Sequence, residues 1–199
     1  MRLGTTGIVT NEFGEVLLIQ RDDTRTFAPP GGGLEAGTLP TDNVVREVAE
    51  ETGLKVYPVR LVGLYYLQWR KTSLLNFVFR CIQRGGELAT SSESLRVGFY
   101  PMTKLPSPMP TFTKKRLEDG FLHKGGPVYW EHQKDGLLLR IGRLLLTKTV
   151  YPWKNWQRKR RGEPAYIPPP AFKVGAFTVM RNEEGAVLWV KRDEVDMWN

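Results

Sequence analysis

Apolar residues fall in two short runs near the start of the chain, over residues 5–10 and 16–20, parted by Asn11, Glu12, Phe13 and Gly14. Two such runs around turn-forming Asn and Gly predict a β-hairpin. Residues 27–37 hold Pro29, Pro30, Gly31, Gly32, Gly33 and Gly37, a loop by composition. From residue 39 to residue 52, Val44, Val45, Val48 and Ala49 follow a helical period. Thr38 or Thr41 is the expected N-cap, and Gly53 the left-handed residue that ends the helix. Strand-like runs follow over 56–69, 74–83 and 96–100, then Pro106, Pro108 and Pro110, then a short helical stretch over 111–121. The order β, β, α, β, β, β, α predicts one mixed α/β (α+β) domain over residues 1–135, a usual domain size.

Beyond it the pattern changes. Residues 136–151 are Leu-rich with Arg140, Arg143 and Lys148 interspersed, and Pro152 is expected to break that helix. Trp153, Trp156 and the basic run 158–161 lead to Pro168, Pro169 and Pro170, a stiff extended linker. Residues 136–172 thus read as a basic helical segment and linker. After it the sequence returns to its own beginning. With a constant offset of 171, Gly4, Asn11, Glu12, Gly14, Val16, Leu17, Arg21 and Asp22 recur as Gly175, Asn182, Glu183, Gly185, Val187, Leu188, Arg192 and Asp193. Any Gly-turned hairpin accounts for the turn glycine and the apolar runs, but not for the downstream Arg-Asp pair, nor for Phe27 against Trp198. Fixed-offset self-similarity marks an internal repeat. Residues 173–199 are therefore expected to be the first hairpin of a truncated second copy.

Composition narrows the class. The chain has 199 residues, 41% hydrophobic and 25% charged, ordinary for a globular protein. Cys81 is the only cysteine, which excludes a disulfide scaffold; its apolar surroundings predict a buried, inert thiol. Two histidines argue against a His-rich metal site. No apolar run reaches the ~18 residues of a membrane span. Thr5, Thr6, Asn11 and Glu12 interrupt any signal-peptide core, so a cytoplasmic location is expected. The net charge of +8 is unevenly placed: residues 1–135 carry 17 basic and 15 acidic side chains, residues 136–172 carry 8 and 1, and residues 173–199 carry 4 and 5. The excess belongs to the linking segment. It reads as a helix packed on the domain with solvated arginines, as a helix orienting the second copy, or as a contact for nucleic acid or anionic lipid by residues 136–161.

The chemistry concentrates on the helix. Glu47, Glu50 and Glu51 stand at i, i+3 and i+4, where carboxylates share one face and repel. A hard divalent cation removes that cost, since carboxylate oxygens suit Mg²⁺ and Mn²⁺. The glycines ahead of the helix allow close backbone approach, and the helix N-terminus favours phosphate. An acidic surface helix alone would satisfy ordinary patterning.

The whole segment, however, resembles the Nudix box, G-x5-E-x7-R-E-U-x-E-E-x-G-U with U apolar. Gly32, Arg46, Glu47, Val48, Glu50, Glu51, Gly53 and Leu54 match in register. Arg21, Phe27 before Pro-Gly-Gly, Glu35, and the run from Glu93 to Pro106 fit the flanks. The resemblance implies a mixed β-sheet sandwiched between helices. It implies metal-dependent hydrolysis of the diphosphate in a nucleoside diphosphate linked to another group X, with Mg²⁺ as cofactor and Mn²⁺ as substitute. Glu47 and Glu51 would be ligands, Glu50 a ligand or outer carboxylate, and Glu93 an additional carboxylate. One of these four would be the general base, and Arg46 belongs to the catalytic set. Gly32, Gly33, Arg21 and Arg25 would meet the substrate, a small nucleotide; Tyr65, Tyr66 and Trp69 would stack on a base or fill the core. The untruncated chain would carry a second Nudix domain, and the oligomeric state is left open. One position departs: the Glu that follows Gly32 in the box, typically the partner of Arg46, is Thr38 here, with Glu35 or Asp42 as possible replacements. Asn43 and Leu39 also stand where other residues are common. The competing expectation is a Nudix-fold nucleotide-binding or regulatory module with weak or lost catalysis.

Overall fold

The computed structural model describes residues 1–69, 72–133, 141, 144–162, 164, 170–175 and 179–187. The hairpin forms as predicted, with β1 (Arg2–Thr10) and β2 (Val16–Arg21) around a turn in which Gly14 has φ 75°. The strands pair beside the turn, at Thr10↔Val16, and then part. Thereafter β1 runs parallel to β5 (Thr72–Gly86), while β2 pairs antiparallel with β6 (Ser94–Tyr100). The edge of β1 that β2 leaves is filled by the Pro-Gly loop. Gly7 N–H donates to Pro30 O (2.9 Å), Thr5 N–H to Gly32 O (2.9 Å) and Leu34 N–H to Leu3 O (3.0 Å). These bonds satisfy β1's backbone and hold the loop in a fixed register.

The sheet order is β3-β2-β1-β5-β4-β7, with β6 joined to β2. Two of these strands were not predicted. The two-residue β3 (Phe27–Ala28) lies inside the predicted loop, and β7 (Tyr129–Gln133) follows the last predicted helix. An edge strand with one neighbour, β7 leaves Trp130 69% exposed and so lacks the apolar alternation of a buried strand. The longest strand, β4 (Leu54–Trp69), pairs antiparallel with β5 and parallel with β7.

One helix covers each face. On one side α1 (Pro40–Thr52) places Val44 and Val48 among Val9, Leu17, Leu54, Val56, Phe79 and Cys81. On the other, α2 (Thr111–Leu122) inserts Leu117 among Ile8, Val16, Leu18, Phe27, Val62, Tyr65 and Val78. Each such side chain stabilises the fold by roughly 1.5–3 kcal/mol when fully buried. Cys81 is buried as expected, and burial pushes its thiol up to about 12. Tyr65 is core: its hydroxyl donates to Asp119 Oδ2 at 2.7 Å. Tyr66 packs beside the small cluster of Leu3, Leu34 and Leu75, and the Trp69 side chain lies outside the described residues.

Two local expectations need correction. The N-cap of α1 is Leu39, with no side-chain cap bond, because Thr38 turns its hydroxyl to Glu35 O (2.8 Å) and Pro40, in the first turn, needs no N–H acceptor. Pro152 does not end a helix. It lies in the first turn of the basic helix Tyr151–Arg160, where its missing N–H is harmless; a π-turn, Leu146–Val150, leads into it. The expected helix over residues 136–140, and Arg140 and Arg143 with it, fall outside the described residues. No described helix is long and apolar enough to cross a membrane.

The second hairpin turn copies the first. Asn182 N–H donates to Ala186 O (3.0 Å), Gly185 N–H to Asn182 O (3.0 Å) and Ala186 N–H to Asn182 Oδ1 (2.8 Å), with Arg181↔Val187 paired and Gly185 at φ 83°. The equivalent bonds of the first turn are 3.1, 3.1 and 2.9 Å. Leu188, Arg192, Asp193 and Trp198 lie outside the described residues. At the end of the linking segment, Met1 and Phe172 exchange backbone bonds, N–H to O at 3.1 and 2.7 Å.

Candidate active site

The loop and α1 meet at two glycines. Gly31 has φ 153°, and a Cβ there would strike Thr5 O and Thr6 Cα of β1. A Cβ on Gly32 would strike the Glu47 carboxylate. The loop is thus held between a strand backbone and a carboxylate, with space for no side chain on either residue. Gly31 N–H also donates to Glu51 Oε2 at 2.8 Å. Glu47 and Glu51, one helical turn apart, therefore both face the glycine backbone. Val44 and Val48, which adjoin Glu47 and Glu51 around the helix, anchor it to the sheet and so set where this face points.

Both carboxylates are electrostatically loaded. Burial chiefly pushes Glu51 up to about 7; Gly31 N–H and Arg21 oppose this, and the charges of Glu47 and Glu93 add to it. Burial also raises Glu47, against the pull of Arg46 and with the push of Glu50 and Glu93. Glu93 is exposed, yet its charge reaches both. Glu50 behaves differently. Its exposed carboxylate accepts from Arg46 Nη1 at 2.7 Å, so the three box carboxylates do not converge as the spacing predicted. A 3.6-residue period turns Glu50 around the helix from the loop. As the side chains stand, no described group of three His, Cys, Asp or Glu residues is gathered to hold a metal. The chemistry of the pair at the loop nevertheless fits a hard divalent cation: two carboxylates that repel, with a backbone close by.

Arg46 sits across this cluster. Nη2 donates to Glu47 Oε1 (2.7 Å) and to Asn43 Oδ1 (2.9 Å) and lies 3.3 Å from Glu35 Oε1. Its buried Nε has no partner. Desolvation disfavours the Arg46 charge, but the bond from Glu50 and the charges of Glu47, Glu50 and Glu35 outweigh it and hold the guanidinium ionised. Glu35 is thus a partner, as expected; no contact from Asp42 to Arg46 is seen.

Arg21 is bidentate to Asp23, at 2.9 and 2.8 Å, and within the field of Glu51. Arg25, at φ 58°, is exposed and 3.7 Å from Asp22. Gly33 pairs with Gly4 of β1. Sequence reasoning did not assign Asn43, Asp23, Ser94 or Asn76 to the site. Ser94 Oγ donates to Glu51 O (2.8 Å) and fixes β6 beside the helix end. Asn76 is buried close to Gly4 and Gly32, and its Oδ1 has no partner. Only Asn43 carried a signal: it stands three residues before Arg46, within side-chain reach on a helix.

Comparison with known proteins bears on this geometry. A family model described as NUDIX domain matches residues 1–119. A MutT-like protein of Streptomyces ambofaciens is 37% identical over 132 residues, 66% of this chain and 84% of the relative. The 8-oxo-dGDP phosphatase NUDT18 of Mus musculus is 39% identical over 109 residues, but the match spans 51% of this chain and only 33% of that protein. Among solved structures, an ADP-ribose pyrophosphatase from Streptococcus suis superposes with a TM-score of 0.53 at 29% identity, covering 67% of this chain and 98% of that one.

Proposed function

The chain belongs to the Nudix family, and on that premise we propose that it is a metal-dependent hydrolase of the diphosphate linkage in a nucleoside diphosphate bonded to a second group. The observation that carries this reading is the pair Glu47 and Glu51, both turned to the glycine loop and both raised by burial and by neighbouring carboxylates. A pair in that state stabilises the fold poorly when ionised and binds a hard cation well. Nudix hydrolases are generally dependent on divalent metal; we assign Glu47 and Glu51 as the residues that would hold Mg²⁺, or Mn²⁺ in its place. Bound there, the cation supplies neutralisation and polarisation of the diphosphate.

The chain's own groups do the rest. The Gly31–Gly33 backbone admits the diphosphate close to the carboxylates. Exposed Arg25, 3.7 Å from Asp22, is the cation we assign to a phosphate oxygen; Arg21, bound to Asp23, instead steadies the charge of Glu51. We assign Glu93, exposed and with its charge felt by both Glu47 and Glu51, as the group that takes the proton of an attacking water. Glu50 serves as an outer carboxylate that holds Arg46.

Two candidate substrates come from relatives: ADP-ribose and 8-oxo-dGDP. The purified full chain is expected to release a nucleoside monophosphate from one of them with Mg²⁺, and not in chelator. Binding without turnover in either Mg²⁺ or Mn²⁺, unaltered by Glu51→Gln, would instead make the chain a binding module, the reading Thr38 favours. We further propose that residues 173–199 are the first hairpin of a second Nudix-type copy, a reading the shared turn geometry supports.

A further inference from the structure

We propose that Asn43 takes over the anchoring of the box arginine in this chain, replacing the glutamate that Thr38 displaces. The inference rests on the hydrolase reading of the site and concerns how its carboxylates are oriented. Thr38 cannot serve: its hydroxyl is committed to Glu35 O. Arg46 is nonetheless held, by Asn43 Oδ1 at 2.9 Å and by Glu35 Oε1 at 3.3 Å. Asn43 is 1% exposed, and its amide is fixed from the other end: Nδ2 donates to Thr5 Oγ1 of β1 at 2.8 Å. Its Oδ1 is also 3.4 Å from Glu35 N–H in the loop. One side chain therefore ties together strand, loop and helix, the three elements whose relative position sets the site.

The replacement differs in charge, and that has a consequence. A glutamate at 38 would neutralise Arg46 directly. The Asn43 amide holds the guanidinium without adding charge, so its charge is shared among the carboxylates of Glu35, Glu47 and Glu50. The buried Nε of Arg46 has no partner, so the guanidinium is held through its two terminal nitrogens alone. Asn43 is a positioning residue: it acts through Arg46 on the carboxylate of Glu47.

The test uses the full chain and begins with the metal alone. Mn²⁺ affinity is measured by electron paramagnetic resonance for wild type, Asn43→Ala, Asn43→Asp, Thr5→Val and the Thr38→Glu/Asn43→Ala double variant, beside kcat and KM with ADP-ribose and 8-oxo-dGDP. Asn43→Ala is expected to weaken Mn²⁺ binding and to lower kcat, each by about 10–100-fold, with KM unchanged, as for residues that orient metal ligands. Asn43→Asp, which keeps an oxygen for Arg46, should retain Mn²⁺ affinity better than Asn43→Ala, and Thr5→Val, which removes the tie to β1 but leaves the Arg46 bond, should lose clearly less than Asn43→Ala. The double variant should recover. Equal Mn²⁺ affinity in Asn43→Ala and wild type overturns the proposal, as does an equal loss in Thr5→Val or a double variant that stays impaired. If neither nucleotide is hydrolysed by the wild type while the Mn²⁺ pattern holds, the substrate reading fails and the anchor stands.

Discussion

Residues 10–16 and 181–187 make the same turn and meet opposite fates. Their three defining hydrogen bonds agree to within 0.1 Å. Yet Ile8 and Val9 of the first hairpin are fully buried, while the equivalent Val179 and Met180 are 71% and 54% exposed. Asn at the first position and Gly at the fourth suffice for the turn, because the Asn side chain closes it and Gly adopts positive φ without strain. Burial is another matter. Ile8 is covered by α2 and Val9 by α1, from elements 30 to more than 100 residues away. A hairpin by itself is marginal in water; the first turn differs in having α1 and α2 packed over its strands.

The sharpest break of that comparison is catalytic. If hydrolysis resides in the first copy with its box, Glu51→Gln should lower kcat/KM by about 10²–10⁴-fold, measured in steady state on the full chain; near-normal turnover would detach activity from the box. Next comes packing. Ile8→Ala should cost about 2–5 kcal/mol in denaturant unfolding, while Val179→Ala should stay within about 0.5 kcal/mol. Comparable losses at both sites would mean the second hairpin is buried in solution.

The third test is pH. Glu51, raised from 4.5 to about 7, holds its proton in the folded state over a window where the unfolded chain has lost it. Metal-free stability should therefore fall as pH rises from about 4.5 to 7, by roughly 3 kcal/mol, and level off above. Glu51→Gln should flatten the slope, and no such group exists among the described residues of the second copy. Thermal melts in chelator from pH 4.5 to 8 measure it; a rising curve that the variant leaves unchanged would refute the assigned burial. The smallest effect is at the turns. Gly14→Ala should destabilise the domain by about 1 kcal/mol, since Ala at positive φ is strained. Gly185→Ala should leave the main unfolding transition where it is.

Much of the site was legible because box chemistry lies in one contiguous stretch. Gly32, Glu47 and Glu51 came together as the pattern implied. Glu50 did not, since helical spacing alone could not say which carboxylate the loop would meet and which Arg46 would take. Ser94 and Asn76 escaped notice for a different reason. Each is an ordinary polar residue whose place depends on a strand pairing, such as β2 with β6, that no local pattern encodes. Strands β3 and β7 were missed because one is two residues long and the other lies at an edge with little to bury.

The sequence by itself determined what depends on near neighbours along the chain. These are the two hairpin turns, the helix that stops at Gly53 (φ 76°), the carboxylates one turn apart and the repeat at offset 171. Such features follow from backbone sterics and helical period, which act over a few residues. Tertiary structure alone decided that β1 and β2 part to admit the glycine loop, that burial lifts Glu51 toward neutrality, and that Asn43 holds Arg46 where Thr38 does not. Those outcomes depend on which distant groups exclude water and which offer a partner, and that is settled only once the chain is packed.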